Sequence, residues 1–297
     1  MPAMFALPKW IHEHLYANKN FADLTPAEIE HLRNKISKFK HDEPDVSIMI
    51  PAWNEMNNIY RALSSLSSNE TTLKVELCVV NNNSKDKTQE VLDLLGVRSY
   101  LQPEQGTPHA RQMGLEKARG KYHLCADSDT FYPPKWIDHM VKPLMENKGV
   151  VGVYGRYAFI PPPGSGRFGL WFYEQLTGVL INMKKKNREH LNVLGYNMGF
   201  ITKVGLESGG FKVREVRKGT NEGSDYIDMA EDGQMALNLL TQGRLQMVSH
   251  PDALVFTSPR RLLMDGGVVQ AFWNRTRLHI SRMGEYVTGK YKKDAKL

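Results

Sequence analysis

At 297 residues, with 41% apolar side chains, the chain is long enough for one large α/β domain with appendages or for two small ones. Its net charge of +7, gathered at Lys184 to Lys186, Lys212 to Lys218, Arg260 and Arg261, Arg275 to Arg282 and the tail from Lys290, suits phosphates, anionic lipid surfaces or nucleic acid without choosing among them. Cys78 and Cys125 sit in apolar runs without Cys-x-x-Cys spacing, which argues for buried thiols over a disulfide or metal pair, and neither a secretory leader nor an apolar run near 18 residues is seen, so export and a membrane span are not expected.

Residues 1–44 read as a helical extension with a structural role. Thr25-Pro26-Ala27-Glu28 combines a capping hydroxyl, a proline at the first helical position and a capping-box carboxylate. Ile29, Leu32, Ile36 and Phe39 then recur at helical spacing. At Val46 to Pro51 the composition turns β-rich. The loop Ala52-Trp53-Asn54-Glu55 follows, then a helix from about Asn57 to Ser67. A second strand, Val75 to Val80, ends in the turn-forming loop Asn81 to Asp86 and leads to a helix carrying Val91, Leu94 and Leu95. A short strand near Val97 to Leu101, a helix from His109 to Ala118 and the apolar run Tyr122 to Cys125 come next. Strands alternating with helices imply crossover units and a largely parallel sheet, with ligands bound beyond the carboxyl ends of the strands. Three such ends carry polar loops: Pro51 to Glu55, Asn81 to Asp86, and Asp127 to Thr130. The last puts two carboxylates, Asp127 and Asp129, where a divalent cation and a diphosphate can meet.

Beyond residue 150 the pattern changes. Val150 to Tyr157 reads as a strand, 161–166 as a loop and Phe168 to Met183 as an aromatic helix. In Gly195 to Ile201, a further strand, small residues permit close backbone approach. Gly209 to Asp228 is rich in glycine and charge and is expected to be mobile. Glu231-Asp232-Gly233 opens a helix running to about Thr241, closed by Gly243. Ala253 to Thr257 is strand-like, and 259–297 form a basic, partly helical tail. Trp171, Phe172 and Tyr173 fit a core cluster first, with an acceptor wall or membrane-facing patch as the alternative. His109, His123 and His250 read as structural, since no zinc-type spacing occurs.

Five landmarks stand in one order: Val46 to Glu55, Val79 to Thr88, Ala110-Arg111-Gln112-Met113-Gly114, Ala126-Asp127-Ser128-Asp129, and Glu231-Asp232. Together, over roughly Val46 to Arg261, they resemble the family 2 glycosyltransferases. The resemblance implies an α/β GT-A fold: a Rossmann-like, mixed, mainly parallel sheet flanked by helices, with helical N- and C-terminal extensions. It divides the chain into an extension (1–44), a GT-A domain (45–258, with a nucleotide-binding half 45–130 and an acceptor half 131–258) and a basic tail (259–297).

The resemblance assigns Asp129 as direct ligand of Mn²⁺ or Mg²⁺, and Asp127 to the ribose or a metal-bound water. Pro51, Ala52, Asn54 and Glu55 are expected to line the nucleoside, with Arg111 facing the same pocket. The family's second-strand loop reads Asp-Asp-Gly-Ser, whereas this chain has Asn81, Asn82 and Asn83. An Asn82 carbonyl can still accept a uracil imide hydrogen bond, so UDP is favoured and GDP stays open. Asn83 can replace glycine because asparagine tolerates left-handed backbone geometry. Asp232 matches the family's catalytic base, with Glu231 orienting the acceptor or the helix, and a single displacement predicts inversion. Arg260 and Arg261 are placed to cover the departing diphosphate.

The expected partners are a nucleotide-sugar donor and a glycan or lipid-linked glycan acceptor, without nucleic acid. The setting implied is cell-surface polysaccharide synthesis in the cytoplasm, with room for peripheral association at the inner face of the plasma membrane. Two alternatives remain at this stage. A sugar nucleotidyltransferase would carry a glycine-rich, arginine-containing loop where this chain has Ala52 to Glu55. A basic nucleic-acid-binding protein would have no reason for paired acids at strand ends.

Overall fold

A computed structural model describes residues 6–162, 165–211, 231–264 and 267–288. Two helices, α1 (Lys9–His14) and α2 (Pro26–Ser37), precede the first strand. The capping box forms as the sequence dictates: the Thr25 hydroxyl accepts the Glu28 N–H, and the Glu28 carboxylate accepts the Thr25 N–H. Alternation then sets in with β1 (Val46–Ala52), α3 (Ile59–Leu66), β2 (Val75–Asn81), α4 (Thr88–Leu94), β3 (Arg98–Leu101), α5 (Thr107–Lys117) and β4 (Tyr122–Cys125). After β5 (Thr130–Phe131) come α6 (Trp136–Glu146), β6 (Val150–Gly155), β7 (Tyr157–Phe159), α7 (Phe168–Lys184), β8 (Met198–Ile201) and α8 (Thr202–Glu207). The last described elements are α9 (Glu231–Leu240), β9 (Arg244–Val248), β10 (Val255–Thr257), α10 (Arg260–Met264), α11 (Val268–Ser281) and α12 (Met283–Thr288).

Seven strands form the main sheet in the order β3-β2-β1-β4-β8-β6-β9. All pair in parallel except β8, which runs antiparallel to both β4 and β6. The mixed, mainly parallel sheet is therefore the one expected. β1 and β2 read as continuous apolar runs because helices cover both faces. β5, β10 and β7 make a small second sheet.

One residue of β2 departs from the apolar rule. Glu76 is buried, and its Oε1 accepts the Ser47 hydroxyl and the Arg119 N–H. Its Oε2 pairs with Arg119 at 2.6 Å and Arg98 at 2.9 Å. This knot fastens the amino-terminal edge of the sheet, away from the loops that carry the candidate site.

Several elements differ from expectation. The Val150 to Tyr157 run breaks at Arg156 and feeds two sheets. The Gly195 to Ile201 strand shortens to Met198–Ile201. Helix α6 and strand β9 were not read from the sequence; α6 hides behind Pro133-Pro134 at its start and carries Pro143 inside it. Cys78 and Cys125 are buried free thiols, as expected. Most of the glycine- and charge-rich stretch, residues 212–228, lies outside the described residues, as does the tail from residue 289.

Candidate active site

The three polar loops at the carboxyl ends of β1, β2 and β4 are laced together by hydrogen bonds. Asn54 adopts φ +54°, which lets its side-chain carbonyl accept the Lys85 N–H at 2.7 Å while its own N–H donates to Ser84 Oγ. The Glu55 N–H donates to Thr88 Oγ1, and the Asn82 N–H to the Ala52 carbonyl. Asn83 has φ +58°, the left-handed geometry anticipated for it. Ala52 is buried and Pro51 half-buried at the end of β1.

Asn82 has a structural duty the sequence did not disclose. Its amide donates to the Glu104 carbonyl at 2.7 Å and its Oδ1 accepts the Gly106 N–H at 2.7 Å, which pins the β3–α5 loop. The carbonyl keeps one further lone pair.

At the end of β4 the Asp127 N–H donates to the hydroxyl of buried Tyr132, which in turn donates to the Tyr196 carbonyl. This fixes the turn between Asp127 and Asp129. From there the acids face two different partners. Asp127 Oδ1 lies 2.7 Å from Arg111 Nη2, and Arg111 Nε lies 3.6 Å from Glu231 Oε1. Asp129 Oδ2 lies 3.3 Å from Arg260 Nη2, which also lies 2.6 Å from Glu55 Oε1. Arg111 thus joins the acids of α9 to Asp127. It comes from α5 as a buried side chain, so its charge is satisfied where the carboxylates converge.

Gly195 makes that convergence possible. A Cβ there would meet Arg111 Nη2 at 2.3 Å, and the Gly195 N–H donates to Asp232 Oδ2 at 2.7 Å. The close approach anticipated for this segment is real, both here in the loop before β8 and at Gly199 within the strand, where a Cβ would meet Leu124 Cδ2. Asp232 Oδ1 is buried and makes no hydrogen bond among the described residues. Burial and the neighbouring Asp232 charge push Glu231 up to about 7, against the pull of Arg111. His123, buried and stacked on Phe200, is lowered to about 3 by burial and by Arg111, consistent with a structural role.

A cavity of about 470 Å³ opens beside Asp129 and Arg260, walled by Phe131, Ser258 and, from the amino-terminal segment, Leu15 and Asn18. A separate cavity of about 420 Å³ near α2 touches none of the site acids. Arg261 is in α10, but its side chain lies outside the described residues. The aromatic-basic segment of α7 divides: Tyr173 and Lys184 are buried, while Phe172, Lys185 and Lys186 are exposed. Away from the site, His139 stacks on His250 at 3.7 Å beside Asp252, a pairing invisible in sequence. The His250 Nδ1 lone pair already accepts the Asp252 N–H, which keeps the structural reading.

Acids thus gather at the carboxyl ends of a mixed α/β sheet, with an acid pair opening a helix beside them. The family model for glycosyl transferase family 2 matches residues 47–204, and the chain belongs to that family. Its sheet is the GT-A arrangement. The chain is 31% identical over 150 residues to a chondroitin synthase of Pasteurella multocida, covering 49% of this chain and 15% of that protein. It is 30% identical over 131 residues to a dolichol-phosphate mannosyltransferase of Saccharomyces cerevisiae, covering 41% and 47% respectively. The chain therefore spans under half the length of these relatives. Among solved structures it resembles glucosyl-3-phosphoglycerate synthase from Mycobacterium tuberculosis, solved with Mn²⁺, UDP-glucose and phosphoglyceric acid (TM-score 0.51, 19% identity, 88% of this chain and 85% of that one). It also resembles a mannosyltransferase from Pyrobaculum calidifontis, solved with GDP-mannose and Mn²⁺ (TM-score 0.51, 16% identity, 87% and 75%). At such identities the likeness concerns the fold. No helix among the described residues is long and apolar enough to cross a membrane.

Proposed function

We propose that this chain is an inverting, metal-dependent glycosyltransferase. It moves a sugar from a nucleotide-diphosphate sugar to a hydroxyl of a glycan or lipid-linked glycan, at the cytosolic face of the membrane, in cell-surface polysaccharide synthesis. The observation that carries this reading is Asp232. One carboxylate oxygen is held by the Gly195 N–H, and the other is buried without a hydrogen bond among the described residues. A carboxylate oriented through one oxygen, with the adjoining Glu231 carboxyl beside it, suits a general base. In the step proposed, the acceptor oxygen attacks the anomeric carbon, its proton passes to Asp232, and the bond to the diphosphate oxygen breaks on the opposite face. Arg111 holds Asp127 and Glu231 in place around that base. Glu231, raised to about 7, is poised to hold a proton and hydrogen-bond the acceptor.

Asp127 and Asp129 suit a hard cation: both are oxygen donors, both are about one-fifth exposed, and a guanidinium already rests against each. When bound, such a cation supplies positive charge that offsets the charge growing on the departing diphosphate. Pro51, Ala52, Asn54 and Glu55 would flank the nucleoside. We favour UDP because Asn82 Oδ1 retains a lone pair for an imide N–H. Similar folds holding UDP-glucose and GDP-mannose support a nucleotide sugar without separating the two bases.

The test is thermal stabilisation by UDP, GDP and their sugars with Mn²⁺, combined with Asp232→Asn. The variant should bind donor as the wild type does and lose transfer by about 10²- to 10⁴-fold. Undiminished transfer would remove Asp232 from the base role. No stabilisation by any nucleotide with metal would remove the donor reading.

A further inference from the structure

We propose that Arg260 holds the cation position beside Asp129 before the donor arrives, and moves onto the diphosphate once a metal ion replaces it. The inference rests on Asp129 being the metal ligand. It would make Arg260 a positioning residue that couples metal binding to nucleotide binding.

The two acids of the β4 turn have different counter-charges. Asp127 meets Arg111, whose side chain is 5% exposed and locked in the core. Asp129 meets Arg260, whose side chain is 50% exposed. Only the second can be exchanged without opening the interior. A single nitrogen, Arg260 Nη2, contacts carboxylates from two loops, Glu55 after β1 and Asp129 after β4. That is where a cation bound to Asp129 would also sit, and two positive charges at one carboxylate repel.

The backbone is arranged so that the side chain alone need move. The Ser258 N–H donates to the Asp129 carbonyl, and Ser258 Oγ accepts the Arg260 N–H. The start of α10 is therefore tied to the β4 turn whichever way the guanidinium points. The cavity of about 470 Å³ beside Asp129 gives the guanidinium room to turn. A diphosphate brings enough negative charge to hold a metal and a guanidinium together. Without it, Arg260 competes with the metal; with it, Arg260 assists. By linkage, the nucleotide must then tighten the metal, and the metal the nucleotide, by the same factor.

The experiment measures free Mn²⁺ by electron paramagnetic resonance on the full chain, with and without saturating UDP or GDP, for the wild type, Arg260→Gln, Arg260→Lys and Asp129→Asn. In Arg260→Gln, Mn²⁺ alone should bind about three- to tenfold tighter than in the wild type, the scale of losing one exposed ion pair. With nucleotide present it should bind no tighter than in the wild type, so the coupling factor shrinks. Arg260→Lys, which keeps the charge, should restore the wild-type affinity for metal alone. Unchanged coupling in Arg260→Gln, with Mn²⁺ binding still dependent on Asp129, overturns the role of Arg260 and leaves the metal reading standing. A lysine variant that behaves like glutamine overturns the competition. Mn²⁺ binding that survives Asp129→Asn, or that is absent even with nucleotide, overturns both.

Discussion

The two edges of the main sheet carry buried charge clusters of opposite stoichiometry. At the amino edge one carboxylate, Glu76, is met by Arg98, Arg119, the Ser47 hydroxyl and a backbone N–H. At the carboxyl edge one guanidinium, Arg111, faces Asp127, Glu231 and Asp232. The first cluster leaves neither carboxylate oxygen unbonded. The second leaves Arg111 Nε and Asp232 Oδ1 buried without hydrogen bonds among the described residues. Unmet buried polar atoms are costly, and a fold retains them where something else completes them. The same residue types therefore make a fastening at one edge and the proposed reactive site at the other. Saturation separates them, more than charge does.

Perturbing each cluster in turn breaks or sharpens that contrast. Glu76→Ala should cost about 1–3 kcal/mol of stability, because the Ser47 hydroxyl and the Arg119 N–H lose their acceptor at a buried strand. Transfer per folded molecule, assayed well below the melting temperature, should hold. A stable variant with impaired transfer would undo the comparison. Gly195→Ala should act on transfer as well. The added methyl displaces Arg111 and shifts the N–H that holds Asp232, so transfer should fall by about 10²-fold. Unfolding free energy should drop by about 1–3 kcal/mol. Equal transfer by this variant would show that the Arg111 contact is dispensable.

The third perturbation is a pH dependence. Glu231 holds its proton to about 7 when folded, against an ordinary value of 4.5. A raised carboxyl contributes stability that is complete below pH 4.5 and is lost as the pH climbs through 7. Melting temperatures of the wild type, set against Glu231→Gln, should therefore decline across that window. A flat difference would mean that the carboxyl edge does not strain Glu231.

Much of the loop framework at the carboxyl ends of the strands was legible because it is local. Apolar runs ending in Asn and Asp turns need only neighbouring residues, and Asn54 and Asn83 adopt positive φ where the loops required it. The Glu231-Asp232 opening of α9 was legible for the same reason. The parts that escaped depend on distance in the chain. Nothing near Arg111 announces that it will reach Glu231, 120 positions on, or that Gly195 will clear its path. The hydrogen bonds that tie Asn82 to Glu104 and Gly106 escaped as well, because a sequence shows an amide's chemistry and hides its partners. Helix α6 escaped because proline carries a strong prior against helix, which burial of Trp136, Ile137, Met140 and Val141 overrides.

The amino-terminal helices extend the catalytic question beyond the homology border. The family-matched segment starts at residue 47, yet Phe21, Leu24, Leu32 and Ile36 share one core with the first strands. His14 bonds Ser64 across 50 positions, and the Tyr60 hydroxyl donates to the Lys19 carbonyl. Leu15 and Asn18 form part of the chamber next to Asp129. A fragment trimmed to the family-matched segment would bare an apolar seam and lose one side of that chamber. Shared descent and mechanical support have different limits in this chain.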